Sequence, residues 1–450
     1  MRDQLRWPAS AVACVAVIAL AGCVGASSQP TPPAEPESGP PSKAYGRAFL
    51  GEALHTYRFI VDPDITGPVQ ETGARLVAAI GADPAAIHFF VIDEPQPNAF
   101  AIPGGYIFVF TGLLSKLSDD EELAGVLAHE LGHVSYNHFF QDRNQILALN
   151  LATVAALLLS RGNPAALAFG SGASYHLQLA YSREHEAEAD AAAVSFLRKA
   201  HYDPSGLARF FRTLEVYERF NPPSVPAYFT THPGVSERLG VVESMIQAAP
   251  PRGIEPGSID WGRVRASLGV VPEGPNPSPR DRYLRGINHS KNQRIAAAIE
   301  EFRAVLAAKP HDAAARADLA WALLSDQRRD EARDEARRAR RDDPHLAGPS
   351  VTLGVLAQDA GDHQAAVREF LTAVSDDPYD ATTHLRLASS YAALGDSARE
   401  AYHLGRHFRL SLMPARAAAA YQRFLASPNA DPETRRAVEQ ELAMIRREGI

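Results

Sequence analysis

Apolar positions recur at helical spacing along most of this chain and run together as strands in only one region. Leu76, Val77 and Ile80 share one helix face, and a second helical pattern begins near Ala44. Prolines at 63 and 68 predict an interruption over residues 63–68. Residues 87–92 (IHFFVI) are a β-branched and aromatic run, hence a strand. Residues 98–114 read as a strand, a Pro103-Gly104-Gly105 turn and a second strand ending at Gly112. Ser118 with Glu121 three residues on opens the next helix as a capping box, and Leu123, Val126, Leu127, Leu131 and Val134 give it apolar faces. Residues 146–159 and 165–169 are too short for the roughly 18 apolar residues of a membrane span and predict a buried helical hairpin. A surface that dips into the membrane or receives an unfolded client is the alternative for this stretch. Residues 175–200 form a further Ala- and Glu-rich helix.

Pro and Gly then punctuate residues 251–280, a linker, and beyond it the period changes. Pro310, Pro344 and Pro378 are spaced 344 − 310 = 34 and 378 − 344 = 34 residues apart. Ala298, Phe302 and Val305 recur in step as Ala332, Ala336 and Ala339, then as Ala366, Phe370 and Ala373. This is the tetratricopeptide period, and such helix pairs stack into a superhelix whose concave face binds peptides or partner proteins. After Pro378 the register slips, because Ala420, Phe424 and Pro432 are not a whole period further on, so the chain ends in an irregular or capping unit. The fold class is α+β, mainly α: a small sheet among helices, then an α-solenoid.

At 450 residues, 46% apolar and 22% charged, the chain predicts two globular domains, and its net charge of −8 offers no basic surface for nucleic acid. Arg2 and Arg6 precede a short apolar run from Ala9 to Leu20. Leu20-Ala21-Gly22-Cys23 closes that run and resembles a bacterial lipobox, which implies cleavage before Cys23 and lipid on its sulfur. Val24, where enterobacterial lipoproteins retained at the inner membrane carry Asp, favours the outer membrane. Cys14 leaves with residues 1–22, so the mature chain has no thiol for a disulfide. Residues 23–43, rich in Pro, Ser and Gly, form a flexible tether.

The chemistry concentrates at His129-Glu130-Leu131-Gly132-His133. Two histidines four apart face one side of a helix and can both give ring nitrogens to one zinc ion, while the Glu between them can take a proton from the attacking water. His138 does not repeat the four-residue spacing from His133 and reads as a surface or helix-end residue.

Ser182-Arg183-Glu184-His185-Glu186-Ala187-Glu188-Ala189-Asp190, following that motif, resembles the signature of the gluzincin family that includes HtpX and the CAAX prenyl proteases. The resemblance implies a zincin-type domain in which Glu186 is the third zinc ligand and Asp190 hydrogen-bonds a ligand histidine. Glu184, His185 and Glu188 are left as solvated or supporting residues. Thr231-His232-Pro233 with Arg238 is similar to BepA-like periplasmic members that carry a C-terminal tetratricopeptide domain, whose His can occupy the fourth zinc position and hold the enzyme shut. From the residues alone, His232 as a structural histidine before proline stands equally open. His232 and Arg238, and less so Tyr181, are candidates to assist at the oxyanion. In gluzincins an edge strand beside the zinc helix pairs with extended substrate, which nominates Asn98, Ala99, Phe100 and Ala101.

The organisation expected is a signal over 1–22, a tether over 23–43, a metallopeptidase domain over 44–250, a linker over 251–280 and repeats over 281–450. The function expected is a lipid-anchored, periplasm-facing zinc endopeptidase with Glu130 as catalytic base, acting on misfolded or misassembled outer-membrane proteins and in reach of outer-membrane assembly machinery through its repeats. The alternative is a chaperone or assembly factor working through the repeats over a latent protease site. A purely structural zinc would normally want four ligands rich in Cys, which the mature chain lacks.

Overall fold

The computed structural model describes residues 41–138, 182–220, 232–248, 254 and 257–448. The signal and Cys23, most of the tether, the apolar stretch 146–169, Tyr181 and Thr231 lie outside those residues. No described helix is long and apolar enough to cross a membrane.

The N-terminal part is a three-stranded sheet packed between helices. Helix α1 (Pro41–Thr56) precedes α2 (Pro63–Ile80). The interruption expected over 63–68 is instead the start of α2: Asp62 caps it, and Pro63 sits in the first turn, where no N–H partner is available anyway. Pro68 lies inside the helix and forgoes one backbone bond. Strands β1 (His88–Ile92), β2 (Ala99–Ile102) and β3 (Tyr106–Phe110) pair in the order β1-β3-β2, with β1 parallel and β2 antiparallel to the central strand. Gly104 and Gly105 turn β2 into β3 at φ 95° and 85°, and a Cβ on Gly105 would strike the Ala86 carbonyl, so glycine is required there twice over. The second strand ends at Phe110, and residues 111–114 are a single helical turn.

Alternation divides the sheet between two cores. Phe90, Phe100, Phe108 and Phe110 pack with Phe49 and Leu50 of α1, whereas Phe89, Val91, Ile107 and Val109 pack with Leu76, Leu123 and Leu127 on the other face. The second face receives α3 (Asp120–Tyr136), which runs through the centre of the domain and is buried from Glu122 to His133. Its cap lies one residue later than expected: Asp119 accepts from the Glu122 N–H at 2.9 Å, and Glu122 reaches back to the Ser118 N–H. Helices α4 (Arg183–Lys199), α5 (Ser205–Phe220) and α6 (Val235–Ala248) complete the domain.

The Pro- and Gly-rich stretch 251–280 contains a packed helix, α7 (Trp261–Ser267). Trp261 is buried in the same core as the metal helix and donates from Nε1 to Asp120 Oδ1 at 2.9 Å, while Asp120 Oδ2 accepts from the Ser258 and Ile259 N–H groups. Arg263 joins Asp64 of α2 to Asp318 of the repeats, at 2.8 and 2.6 Å, and Lys291 lies 2.8 Å from Asp64. Burial alone would raise the Asp64 carboxyl, but Arg263 and Lys291 outweigh it and hold it well below the usual carboxylate range.

Helix pairs follow: α8 (Pro279–Lys291) with α9 (Ile295–Ala308), α10 (Ala313–Ser325) with α11 (Arg329–Asp342), α12 (Ala347–Asp359) with α13 (His363–Asp376), and α14 (Ala381–Ala393) with α15 (Ser397–Leu410). Their first helices start at 279, 313, 347 and 381, 34 apart, as expected. Helices α16 (Pro414–Ala426) and α17 (Pro432–Glu448) close the chain. The slip after Pro378 has a physical origin in the lock between helices. Gly286 receives the Phe302 ring and Gly354 the Phe370 ring, whereas the last lock is Gly405 with Tyr421, 405 − 354 = 51 residues on, or one and a half periods. The stack therefore continues, but α15 with α16 takes over the role of a first and second helix.

Candidate metal centre

Helix α3 carries His129 and His133 one turn apart, so their rings project from one face, with the two Nε2 atoms 3.1 Å apart. Helix α4 crosses it closely because Gly132 has no side chain: a Cβ there would meet the Ala189 carbonyl oxygen at 3.0 Å. Gly125 plays the same part against Leu207 of α5. That approach brings Glu186, in the first turn of α4, to 3.5 Å from His129 Nε2 and 3.4 Å from His133 Nε2. From just before α6, His232 turns Nδ1 to within 3.3 Å of His129 Nε2 and 3.1 Å of Glu186 Oε1.

These four buried side chains offer donor atoms that all lie within 4.8 Å of one another. Zinc bound to nitrogen and oxygen at about 2.0–2.1 Å in a tetrahedron implies donor separations of about 3.3–3.4 Å. Five of the donor pairs are separated by 3.1 to 3.5 Å, counting whichever Glu186 oxygen is nearer, close to those edges, and three imidazoles with one carboxylate suit that ion. Beside the set, both buried carboxylate oxygens of Glu130 make no hydrogen bond among the described residues, which fits a group poised towards a bound ion and its water.

Glu130 stands beside this set, wholly buried, with Oε1 3.5 Å from His232 Nε2. Burial pushes its carboxyl up, while the nearby His232 and His129 draw it back. The Phe110 N–H donates to Asn98, so in the antiparallel ladder Asn98, Phe100 and Ile102 face β3, while Ala99 and Ala101 turn their backbone groups to the outer edge. Helix α3, which carries Glu130, packs against β2.

Behind the donors lies a second tier. Asp190, one turn after Glu186, places Oδ1 3.0 Å from His129 Nδ1. Arg238 of α6 grips Asp190 with two bonds of 2.8 and 2.7 Å, extends Nη1 to Glu186 and lies over the Phe211 ring, so its guanidinium is engaged with the two carboxylates. Burial would lower the His129 imidazole, but hydrogen bonds to Asp190 and Glu186 outweigh it and hold it at about 9. Burial pushes His133 well below its ordinary value. Glu186 is held well below the usual carboxylate range: burial opposes this, but His232 and hydrogen bonds from His129, His133 and His232 prevail.

His138 is not the surface residue that its spacing suggested. Asn137 ends α3 in the left-handed region, φ 55°, and swings His138 back beneath the helix, where it is 2% exposed. Its Nδ1 lies 3.0 Å from His133 Nδ1, its Nε2 3.0 Å from Glu188 Oε2, and its ring stacks on His185. Burial holds this imidazole down against the pull of Glu188. The signal in the sequence was Asn137 itself, the one common non-glycine residue that ends helices in this conformation.

A family model described as Peptidase family M48 matches residues 63–246, and one described as Tetratricopeptide repeat matches residues 290–347. The chain is 30% identical over 233 residues to the putative beta-barrel assembly-enhancing protease of Vibrio cholerae, covering 50% of this chain and 48% of that protein. It is 27% identical over 248 residues to the beta-barrel assembly-enhancing protease of Escherichia coli K12, covering 53% and 49%. It is 31% identical over 182 residues to the mitochondrial metalloendopeptidase OMA1 of Danio rerio, covering 38% of each. The chain thus spans about half the length of the bacterial relatives it matches. Two histidines, a glutamate and a buried carboxylate assembled in the matched segment, with helix pairs of 34-residue period behind it, agree with these likenesses: the chain carries a metallopeptidase domain of the zinc-dependent family M48, followed by tetratricopeptide repeats.

Proposed function

We propose that the chain is a zinc-dependent endopeptidase of the bacterial cell envelope, anchored by lipid on Cys23 at the outer membrane, that cleaves misfolded or misassembled outer-membrane proteins. The observation that carries this reading is the set of four buried donor side chains, their donor atoms within 4.8 Å of one another, with the Glu130 carboxylate beside it and β2, an edge strand among the described residues, packed on the same helix. His129, His133 and Glu186 hold the ion. Bound zinc supplies Lewis acidity at the scissile carbonyl and makes the attacking water more acidic. Glu130 takes the proton from that water and returns it to the leaving amine, a task suited to a carboxylate whose affinity for a proton burial has raised. The outer edge of β2 at Ala99 is where an extended substrate segment aligns as an added strand. Asp190 orients the His129 ring, and Arg238 fixes Asp190 and Glu186 rather than reaching an oxyanion. The repeats select or admit clients and serve as a surface for assembly partners.

A latent state is favoured by one further observation. His232 Nδ1 takes the fourth donor position while its Nε2 faces Glu130, so one ring covers both the ion's open position and the base. Cleavage then requires His232 to leave, and a molecule that acts mainly through its repeats is this same chain with the site shut. Glu130→Gln tests the mechanism: zinc is retained and cleavage of casein or an unfolded β-barrel client is lost, whereas persistent cleavage by the purified variant overturns it. His232→Ala, under the same assay, cleaves faster than the parent if the ring is a gate.

A further inference from the structure

Each donor imidazole must turn an unprotonated nitrogen towards the ion, and that demand fixes where its proton sits. His133 presents Nε2 to the centre, 3.1 Å from His129 Nε2, so its proton belongs on Nδ1. His133 Nδ1 lies 3.0 Å from His138 Nδ1, and two N–H groups cannot face each other, so His138 must accept through Nδ1 and carry its own proton on Nε2. Nε2 of His138 lies 3.0 Å from Glu188 Oε2, a carboxylate oxygen that can only accept. The three statements are mutually consistent. His129, the other donor on α3, is oriented more simply, by a carboxylate directly on its Nδ1, Asp190. At His133 the carboxylate stands one imidazole further out.

We propose, on the reading that His133 is a zinc ligand, that His138 is a positioning residue which, anchored by Glu188, holds His133 in the tautomer and ring orientation that binds the ion. Three local features hold His138 in place. The left-handed turn at Asn137 brings the ring under its own helix, His185 stacks against it with centroids 4.6 Å apart, and Glu188 receives its N–H from α4. Helices α3 and α4 are thereby tied on both sides of the metal, by Asp190 to His129 and by Glu188 to His138.

The test is zinc affinity of the full chain, measured by competition with a fluorescent chelator, with thermal unfolding of the zinc-stripped protein beside it. His138→Phe keeps a buried ring and removes the acceptor, and zinc affinity is expected to fall about 10- to 100-fold, the usual cost of losing a partner of a metal-bound histidine. Glu188→Gln, on a half-exposed side chain, keeps an acceptor oxygen without its charge and is expected to lie between the parent and His138→Phe. Asn137→Gly keeps the left-handed turn and the affinity, whereas Asn137→Val strains the turn and lowers affinity without touching any ligand. Histidine nitrogen NMR of the zinc-loaded chain reads the protons directly: His133 is expected with Nδ1–H and His138 with Nε2–H. A folded His138→Phe chain that binds zinc as tightly as the parent, or a His138 protonated on Nδ1, overturns the relay alone. A parent chain that binds no zinc overturns the reading on which it rests.

Discussion

Where helices α3 and α4 cross, Gly132 lets Ala189 come close, and where the paired helices of the repeats cross, Gly286, Gly354 and Gly405 let aromatic rings do so. The device is the same, a missing side chain, but the space it creates is filled differently. In the peptidase domain it draws together His129, Glu130, His133, Glu186, Asp190 and Arg238, all buried polar groups. In the repeats it admits Phe302, Phe370 or Tyr421, side chains whose value is apolar volume. The first crossing depends on each charge finding its partner, since a buried charge left alone is costly, and the second only on shape. One should therefore be fragile to changes of charge and the other to changes of size.

The largest effect that would break this contrast is at Arg238, which stands between Asp190 and Glu186 and is 7% exposed. Arg238→Met keeps most of the volume and leaves two buried carboxylates without the guanidinium that bridges them, so the zinc-stripped chain should lose about 3–5 kcal/mol in urea unfolding. Combining it with Asp190→Asn should cost less than the sum of the two single changes, because one neutralises the charge that the other strands. Simple additivity would show that the cluster does not act as a unit. In the repeats the corresponding volume change, Phe370→Ala, should cost a similar few kcal/mol while leaving zinc affinity where it was.

A smaller effect is expected at the joint between the two regions, where buried charge links α2 to the repeats. Asp64 has a folded pKa well below its unfolded value, so its pairing with Arg263 and Lys291 adds stability above about pH 4, and that contribution is lost as pH falls from there towards the folded value. Between about pH 5 and pH 3 the melting temperature of Asp64→Asn should therefore fall less steeply than that of the parent. Equal slopes would mean that the pair contributes nothing to the joint. The repeat locks, having no charge, should be indifferent to this titration.

What could be read from the sequence follows the same division. The 34-residue spacing of Pro310, Pro344 and Pro378 and the His129–His133 pair were legible because chemistry recurs at fixed offsets along one element. Glu186 was legible only through its resemblance to a family signature, since nothing in residues 183–190 alone tells which of three glutamates turns inward. The cap of α3 was misplaced by one residue because Ser118-x-x-Glu121 and Asp119-x-x-Glu122 both satisfy the pattern, and the backbone chose the second. His138 was missed because the left-handed residue at Asn137 breaks the arithmetic of 3.6 residues per turn. Trp261 sits in a stretch that reads as a linker, and its bond to Asp120, 141 residues away, leaves no local trace.

The smallest effect separates a lock from a mere gap. Gly354 and Gly240 are both helical, yet a Cβ on Gly354 would fall 2.5 Å from the Phe370 ring, whereas one on Gly240 would meet nothing within 4 Å. Alanine is the better helix former at both places by about 1 kcal/mol. At Gly240 that gain stands alone, so Gly240→Ala should raise stability by somewhat under about 1 kcal/mol. At Gly354 it is opposed by overpacking of about 1–3 kcal/mol, because the ring is fully buried against Leu356 and Val367 and has no free direction in which to move. Gly354→Ala should therefore destabilise the chain, and Gly354→Ala together with Phe370→Leu should recover part of the loss by shortening the ring's side of the contact. If both glycines respond with the same sign in urea unfolding, the repeat crossings are not set by volume, and the contrast with the metal crossing falls.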